Sequence, residues 1–301
     1  MRKKKVSLCL IALTFCFTLF KAEVDSSDNR HIDSESGSSI HRQIQYSFTL
    51  QNKTNRLLNK AEFWTYAPVK LTSTQRCIKL EASYPYELIE DDLGNQILYF
   101  RFGNISPYDT KFITIKASLL LFDKPSSISV QDINPFIQPE KYIESDHPEL
   151  LKFAGKFKDQ KQIKTAENIF RWVANNVHYA GYLRDGRGAL YTLRNKKGDC
   201  TEYMYLFVAL CRASDIPARG IGGYVYSGVP ILNPSSYHNW AEFYDDSAWR
   251  IADPQKKVFM HDSSHYIAMN IISDSPKNPM GEFYRFRFAG DGLEVKMNGT
   301  K

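Results

Sequence analysis

The chain has 301 residues, 43% of them hydrophobic and 24% charged, enough to bury a sizeable core and to hold two modest domains. Its formal net charge is +6, but five basic residues and no acidic one fall within residues 1–22, so the rest is balanced to within one charge. That near-neutral remainder has no electrostatic footprint for nucleic acid, and no phosphate-binding glycine loop is present.

Residues 1–22 read as a secretory signal peptide. Arg2, Lys3, Lys4 and Lys5 supply a basic start, and Val6 to Phe20 form an apolar run closed by Lys21. The run is shorter than the roughly 20 residues that a membrane-spanning helix needs. Phe20 occupies a position where cleavage after Ala22 would call for a small residue, so an uncleaved N-terminal anchor stays open. The expected location is secreted or periplasmic, with any membrane contact confined to that segment. Export leaves Cys77, Cys200 and Cys211. On a shared helix, Cys200 and Cys211 would be about 16 Å apart along the axis, too far for a disulfide.

Residues 23–42 are polar and serine-rich and form a tether. Over 43–122, Ile44, Tyr46, Phe48 and Leu50 alternate with polar residues, as do Leu98, Phe100 and Phe102, and then Ile113, Ile115, Ala117, Leu119 and Leu121. Short alternating strands separated by turn signals predict an all-β, sandwich-like domain. Pro125, Pro135, Pro139 and Pro148 mark a linker over 123–148.

From 149 to 301 the periodicity changes, and a second domain of α+β type is expected. Ile163, Ala166, Phe170, Val173 and Val177 predict an amphipathic helix from about Lys161 to Val177. A second helix should start at Cys200, with Asp199 as N-cap, Glu202 as its capping-box partner, and Met204, Phe207, Val208 and Cys211 on one apolar face. Ile216-Pro217 ends it. Strands then follow at Gly220 to Tyr226, His238 to Tyr244 and Ala248 to Asp253, with a last hairpin around Asp291-Gly292.

The chemistry concentrates at three of these positions. A cysteine attacks as its thiolate, and the first turn of a helix favours negative charge through its unpaired N–H groups, which could also hold an oxyanion. Asp199 and Glu202 oppose that charge, so an imidazolium is required. His238 can supply it, and Asp253 can orient it. A two-residue turn at Asp245-Asp246 would pair Tyr244 with Ser247 and, further back along both strands, His238 directly with Asp253. Facing residues lie about 4.5–5.5 Å apart at Cβ, close enough for a carboxylate to accept the ring N–H. A one-residue slip would put the two on opposite faces.

Cys200 could instead be a buried helix cysteine, the reading that suits Cys211 in its apolar setting. His238 and Asp253 could be a structural cross-strand pair. His261 and His265, four apart, lack the glutamate of the zinc-protease pattern and read as a surface pair, so no metal or other cofactor is predicted. Trp240 and Trp249 read as core.

Taken together, Phe170-Arg171-Trp172-Val173, Lys197-Gly198-Asp199-Cys200, Ile216-Pro217-Ala218-Arg219 with Gly222-Gly223-Tyr224, His238-x-Trp240-x-Glu242 and Trp249-x-x-x-Asp253-Pro254 resemble the transglutaminase-like superfamily of papain-like thiol enzymes. The resemblance covers about Ile163 to Pro254. It implies a nucleophile helix packed on an antiparallel sheet, a Cys200, His238 and Asp253 triad, and a preceding β-rich domain as in exported bacterial members. Asn239 and Gln255 depart from the usual alanine and threonine without removing a triad atom. Upstream of the nucleophile the oxyanion contributor stays unassigned, with Tyr179 and Tyr182 open by position. The expected activity is attack on a peptide or carboxamide carbonyl through an acyl-cysteine, by a cysteine peptidase or amidase acting on a protein or peptide. The alternatives are a transglutaminase, with an amine as acceptor, and a non-catalytic binding module.

Overall fold

The computed structural model describes residues 39–127, 133–274, 277–281 and 285–299. The predicted signal segment and most of the tether lie outside these residues. Strand β1 (Ser39–Asn52) begins within the predicted tether, because Ser39 to Arg42 already pair with β6 (Thr110–Phe122).

The first half of the chain builds two facing antiparallel sheets. Between β1 and β6 lie β2 (Ala61–Ala67), β3 (Gln75–Ala82), β4 (Glu87–Glu90) and β5 (Gln96–Phe102). Period-two alternation sends Ile44, Tyr46, Phe48 and Leu50 inward against Phe63, Leu98, Phe100, Ile113 and Ile115, all buried.

The second half packs helices α1 (Pro148–Ala154), α2 (Gln162–Asn176), α3 (Ala189–Asn195) and α4 (Cys200–Arg212) against a sheet. Two short strands, β7 (His178–Tyr179) and β8 (Lys197–Gly198), pair in parallel. The sheet comprises β9 (Ala218–Val225), β10 (Tyr237–Tyr244), β11 (Trp249–Asp253), β12 (Val258–Phe259) and β13 (Tyr266–Ile272), in the order β12-β11-β10-β9-β13. Every pairing in it is antiparallel. An α+β architecture with a β-rich N-terminal region is therefore observed. Strand β13 was not anticipated: its seven residues are all buried and do not alternate.

The last hairpin, expected with the second domain, completes the sandwich instead. Strand β15 (Leu293–Met297) pairs with β1, and β14 (Phe286–Ala289) pairs with β2. Leu293 and Val295 are buried in the sandwich core, which is the apolar gain that draws the hairpin there.

Side-chain amides from the sandwich close the outer edge of β13. Gln75 Oε1 accepts from Ala268 N at 2.9 Å, while its Nε2 donates to the carbonyls of Ala268 and Val69 at 3.0 and 2.9 Å. Asn95 does the same at Ile271, accepting from its N and donating to its carbonyl. These contacts take the place of a sixth strand. Truncation by Gln75→Ala leaves the Ala268 amide buried without that partner, and an unsatisfied buried group costs about 1–3 kcal/mol. The variant should therefore lose about 2 kcal/mol of stability, read as a lower urea midpoint with an unchanged slope.

Candidate active site

Helix α4 starts where the sequence requires. Asp199 is its N-cap, with Oδ1 accepting from Thr201 N at 2.8 Å, and Glu202 Oε2 accepts the Asp199 N–H at 3.0 Å to complete a capping box. The two remaining carboxylate oxygens reach outward: Asp199 Oδ2 accepts from Leu183 N at 2.9 Å and Glu202 Oε1 from Arg187 N at 3.0 Å. Both acidic groups beside Cys200 are thus used to bind the 183–187 loop to the helix start. Burial pushes the Glu202 carboxyl above its ordinary range. Gly198 is glycine for a steric reason, since a Cβ there would collide with the Glu202 side chain.

Cys200, the first residue of α4, is half-buried, in contrast to the fully buried Cys211. Beside it, the β7–β8 pair and the Ala180 N to Gly198 carbonyl bond at 2.9 Å bring the 178–183 segment alongside the helix start. Tyr179 and Tyr182 lie in that segment with exposed side chains. Asn239 fixes the other side of the helix start, donating from Nδ2 to Thr201 Oγ1 at 2.9 Å.

His238 and Asp253 meet, but not in the predicted register. The β10–β11 ladder pairs Tyr244 with Trp249 and Ala241 with Ala252, a shift of two residues from the expected alignment. The connection is longer than two residues because the Asp245 carboxylate accepts from Ser247 N and Ala248 N, and Asp246 adopts a left-handed backbone with φ of 67°. A two-residue shift preserves the face. His238 and Asp253 become diagonal neighbours, and their longer side chains span the gap, with Nε2 and Oδ2 at 2.6 Å.

The pair is buried, with His238 6% exposed and Asp253 fully enclosed. Asp253 Oδ1 accepts from Lys256 N at 3.0 Å, and Oδ2 accepts a second bond, from Tyr266 Oη, also at 3.0 Å. Burial works against charge on the His238 ring, but the hydrogen bonds and charges of Asp253 and Cys200 outweigh it and push the ring up to about 9. With Nε2 given to Asp253, Nδ1 is the atom that can serve the Cys200 thiol. Trp240 stacks on the imidazole with centroids 6.4 Å apart.

The Arg219 guanidinium and Glu242 are register partners on β9 and β10, joined by bonds of 2.9 and 2.7 Å to one carboxylate oxygen. Arg219 also lies over Trp249, 4.1 Å from the ring centroid. These motif residues are therefore structural: they fasten the two strands next to His238. His261 sits on an exposed turn bonded to Asp262, and His265 in a short 3-10 turn, so the two share no α-helical face. Among the described residues no cluster of three metal-ligating side chains occurs, and no helix is long and apolar enough to cross a membrane. Tyr266 is the contributor that sequence reasoning missed. It stands 13 residues beyond Asp253 on an unanticipated strand, and no local pattern links the two.

Residues 152–254 match the model of the transglutaminase-like superfamily. No curated protein matches the chain in sequence. Among solved structures, it is similar to a candidate cysteine protease from Cytophaga hutchinsonii, with TM-score 0.59 and 21% identity over 88% of this chain and 92% of that one, which establishes a common fold. Lower similarity extends to the periplasmic domain of TgpA from Pseudomonas aeruginosa, with TM-score 0.39 and 14% identity over 67% of this chain and 88% of that one. It also extends to a candidate protease from Parabacteroides distasonis, with TM-score 0.33 and 15% identity over 70% of this chain and 43% of that one.

The His238 geometry has a consequence for stability. Its folded value near 9 lies above the roughly 6.5 of an unfolded imidazole, so the protonated ring favours the fold. That contribution is complete below about pH 6.5 and is lost as pH rises through the folded value. Urea midpoints of the wild type should therefore fall more between about pH 6.5 and 9.5 than those of His238→Gln, with both measured in one buffer series.

Proposed function

Since residues 152–254 are a transglutaminase-like core, we propose that the protein is an exported thiol enzyme that attacks a peptide or carboxamide carbonyl through Cys200. The Cys200 sulfur forms a bond to the carbonyl carbon, and the C–N bond breaks. The leaving amine takes the proton held on His238, and an acyl-cysteine results. Water then attacks that carbonyl carbon and gives a proton back to His238. The S–C bond breaks, releasing a carboxylic acid and restoring the thiol. Asp253 holds the ring tautomer that leaves Nδ1 for sulfur. The Cys200 N–H, at the positive end of α4, is placed to donate to the oxyanion.

The observation that carries this reading is the buried 2.6 Å His238–Asp253 bond on a ring that also feels Cys200. A purely structural cross-strand pair would not need a thiol at a helix start beside it. Export rests on the basic and apolar pattern of residues 1–22. Hydrolysis is preferred to amine transfer because water is always available as acceptor.

Incubation with a peptide library plus a primary amine, followed by mass analysis, separates the alternatives. Hydrolysis yields cleaved or deamidated peptides, and amine transfer yields peptides carrying the added amine. Cys200→Ala should reduce either product at least about 10³-fold, with the fold retained by circular dichroism. Products that persist in that variant would remove Cys200 as the nucleophile, whereas none from the wild type across the library would favour a binding module.

A further inference from the structure

Asp253 is engaged by more than the imidazole. Tyr266 Oη donates to Oδ2, the same oxygen that receives His238 Nε2, and the phenol is buried at 4% exposure. Tyr266 opens β13, while Asp253 closes β11 three strands away in the sheet order. Between them, Gly223, the register partner of His238 on the intervening β9, has no side chain. A Cβ at Gly223 would collide with the Ile267 carbonyl and lie 2.8 Å from the Trp240 ring. Trp240 fills that space, packing edge-on against Tyr266 with centroids 5.0 Å apart while stacking on His238. One indole thus packs against both side chains that donate to Asp253 Oδ2.

We propose that Tyr266 is a positioning residue of the candidate site: its hydroxyl fixes the Asp253 carboxylate and draws off part of the charge that would otherwise act on His238. The inference rests on the Cys200, His238 and Asp253 reading. Burial, followed by the Asp253 charge, keeps the phenol protonated far above its ordinary range, so it acts only as a donor. The charged groups acting on the network are Asp253 and Cys200 at His238, and Asp253 and Asp262 at Tyr266. Two donors on one carboxylate oxygen share its charge, so each receives less of it than it would alone. Removing the hydroxyl concentrates the carboxylate charge on the remaining ring N–H, which stabilises the imidazolium and, through it, the thiolate.

Tyr266→Phe keeps the ring against Trp240 and deletes only the donor. Two readouts test it, after thermal melting has shown the variant folded. In histidine-labelled protein, the His238 Nε2 proton resonance should move downfield. The acidic limb of Cys200 alkylation by iodoacetamide should move to lower pH by roughly half a unit, about threefold faster labelling at a fixed pH on the limb. A resonance and a limb that superimpose on the wild type, or that move in the opposite sense, overturn the inference and leave Tyr266 as packing. His238→Ala separates the two layers. If it slows alkylation while Tyr266→Phe changes nothing, only the role of Tyr266 falls. If wild-type Cys200 labels no faster than Cys77 at mildly acidic pH and His238→Ala has no effect, the triad reading falls and takes the inference with it.

Discussion

Everything near the candidate site depends on the burial of helix α4. From Glu202 to Arg212 every residue is buried, including all sides of the helix and not one stripe. Such a helix is the centre of its half of the molecule, with α1, α2 and α3 on one side and the sheet on the other. A close-packed interior cannot shift an element by small amounts without creating voids or clashes. The start of α4 is therefore fixed relative to β10, and with it the distance from thiol to imidazole. Its capping box, with four carboxylate oxygens each receiving a backbone N–H, holds the only part of the helix that reaches the surface.

The charged groups around the site follow one rule: each is buried only where partners meet it. Arg219 faces Glu242, Arg212 faces Glu140 at 2.7 Å, and Asp253 receives three donors. Burying a charge without partners costs several kcal/mol, about 3–5 when one member of a buried pair is removed. This separates the motif residues by role. The Arg219–Glu242 pair is complete within itself and fastens strands, whereas His238 has a second ring nitrogen left for chemistry.

What could be read from the sequence was local. The capping box, the half-buried start of α4 and the face shared by His238 and Asp253 all follow from short-range patterns and are present in the structure. The hairpin register shows the limit of such reasoning. A shared face depends only on the parity of the register, so the shift of two residues keeps the two side chains together. The exact alignment depends on Asp245, whose carboxylate gathers the N–H groups of Ser247 and Ala248 and lengthens the turn. Strand β13 escaped notice because burial on both faces removes the alternation by which strands are recognised. With it went Tyr266. Pairings across most of the chain, such as β15 on β1, leave no trace in a local window.

That last pairing also dictates the order in which the molecule can be assembled. Both sheets of the sandwich take an edge strand from residues 286–297. Domains commonly fold one after another as a chain emerges from the ribosome, but this sandwich cannot close until the α4 core behind it has been synthesised. Contacts of such long sequence separation are slow to form, and unpaired strand edges invite intermolecular pairing in the meantime. A nascent chain halted before residue 286 would present open edges on β1 and β2, leaving it prone to aggregation.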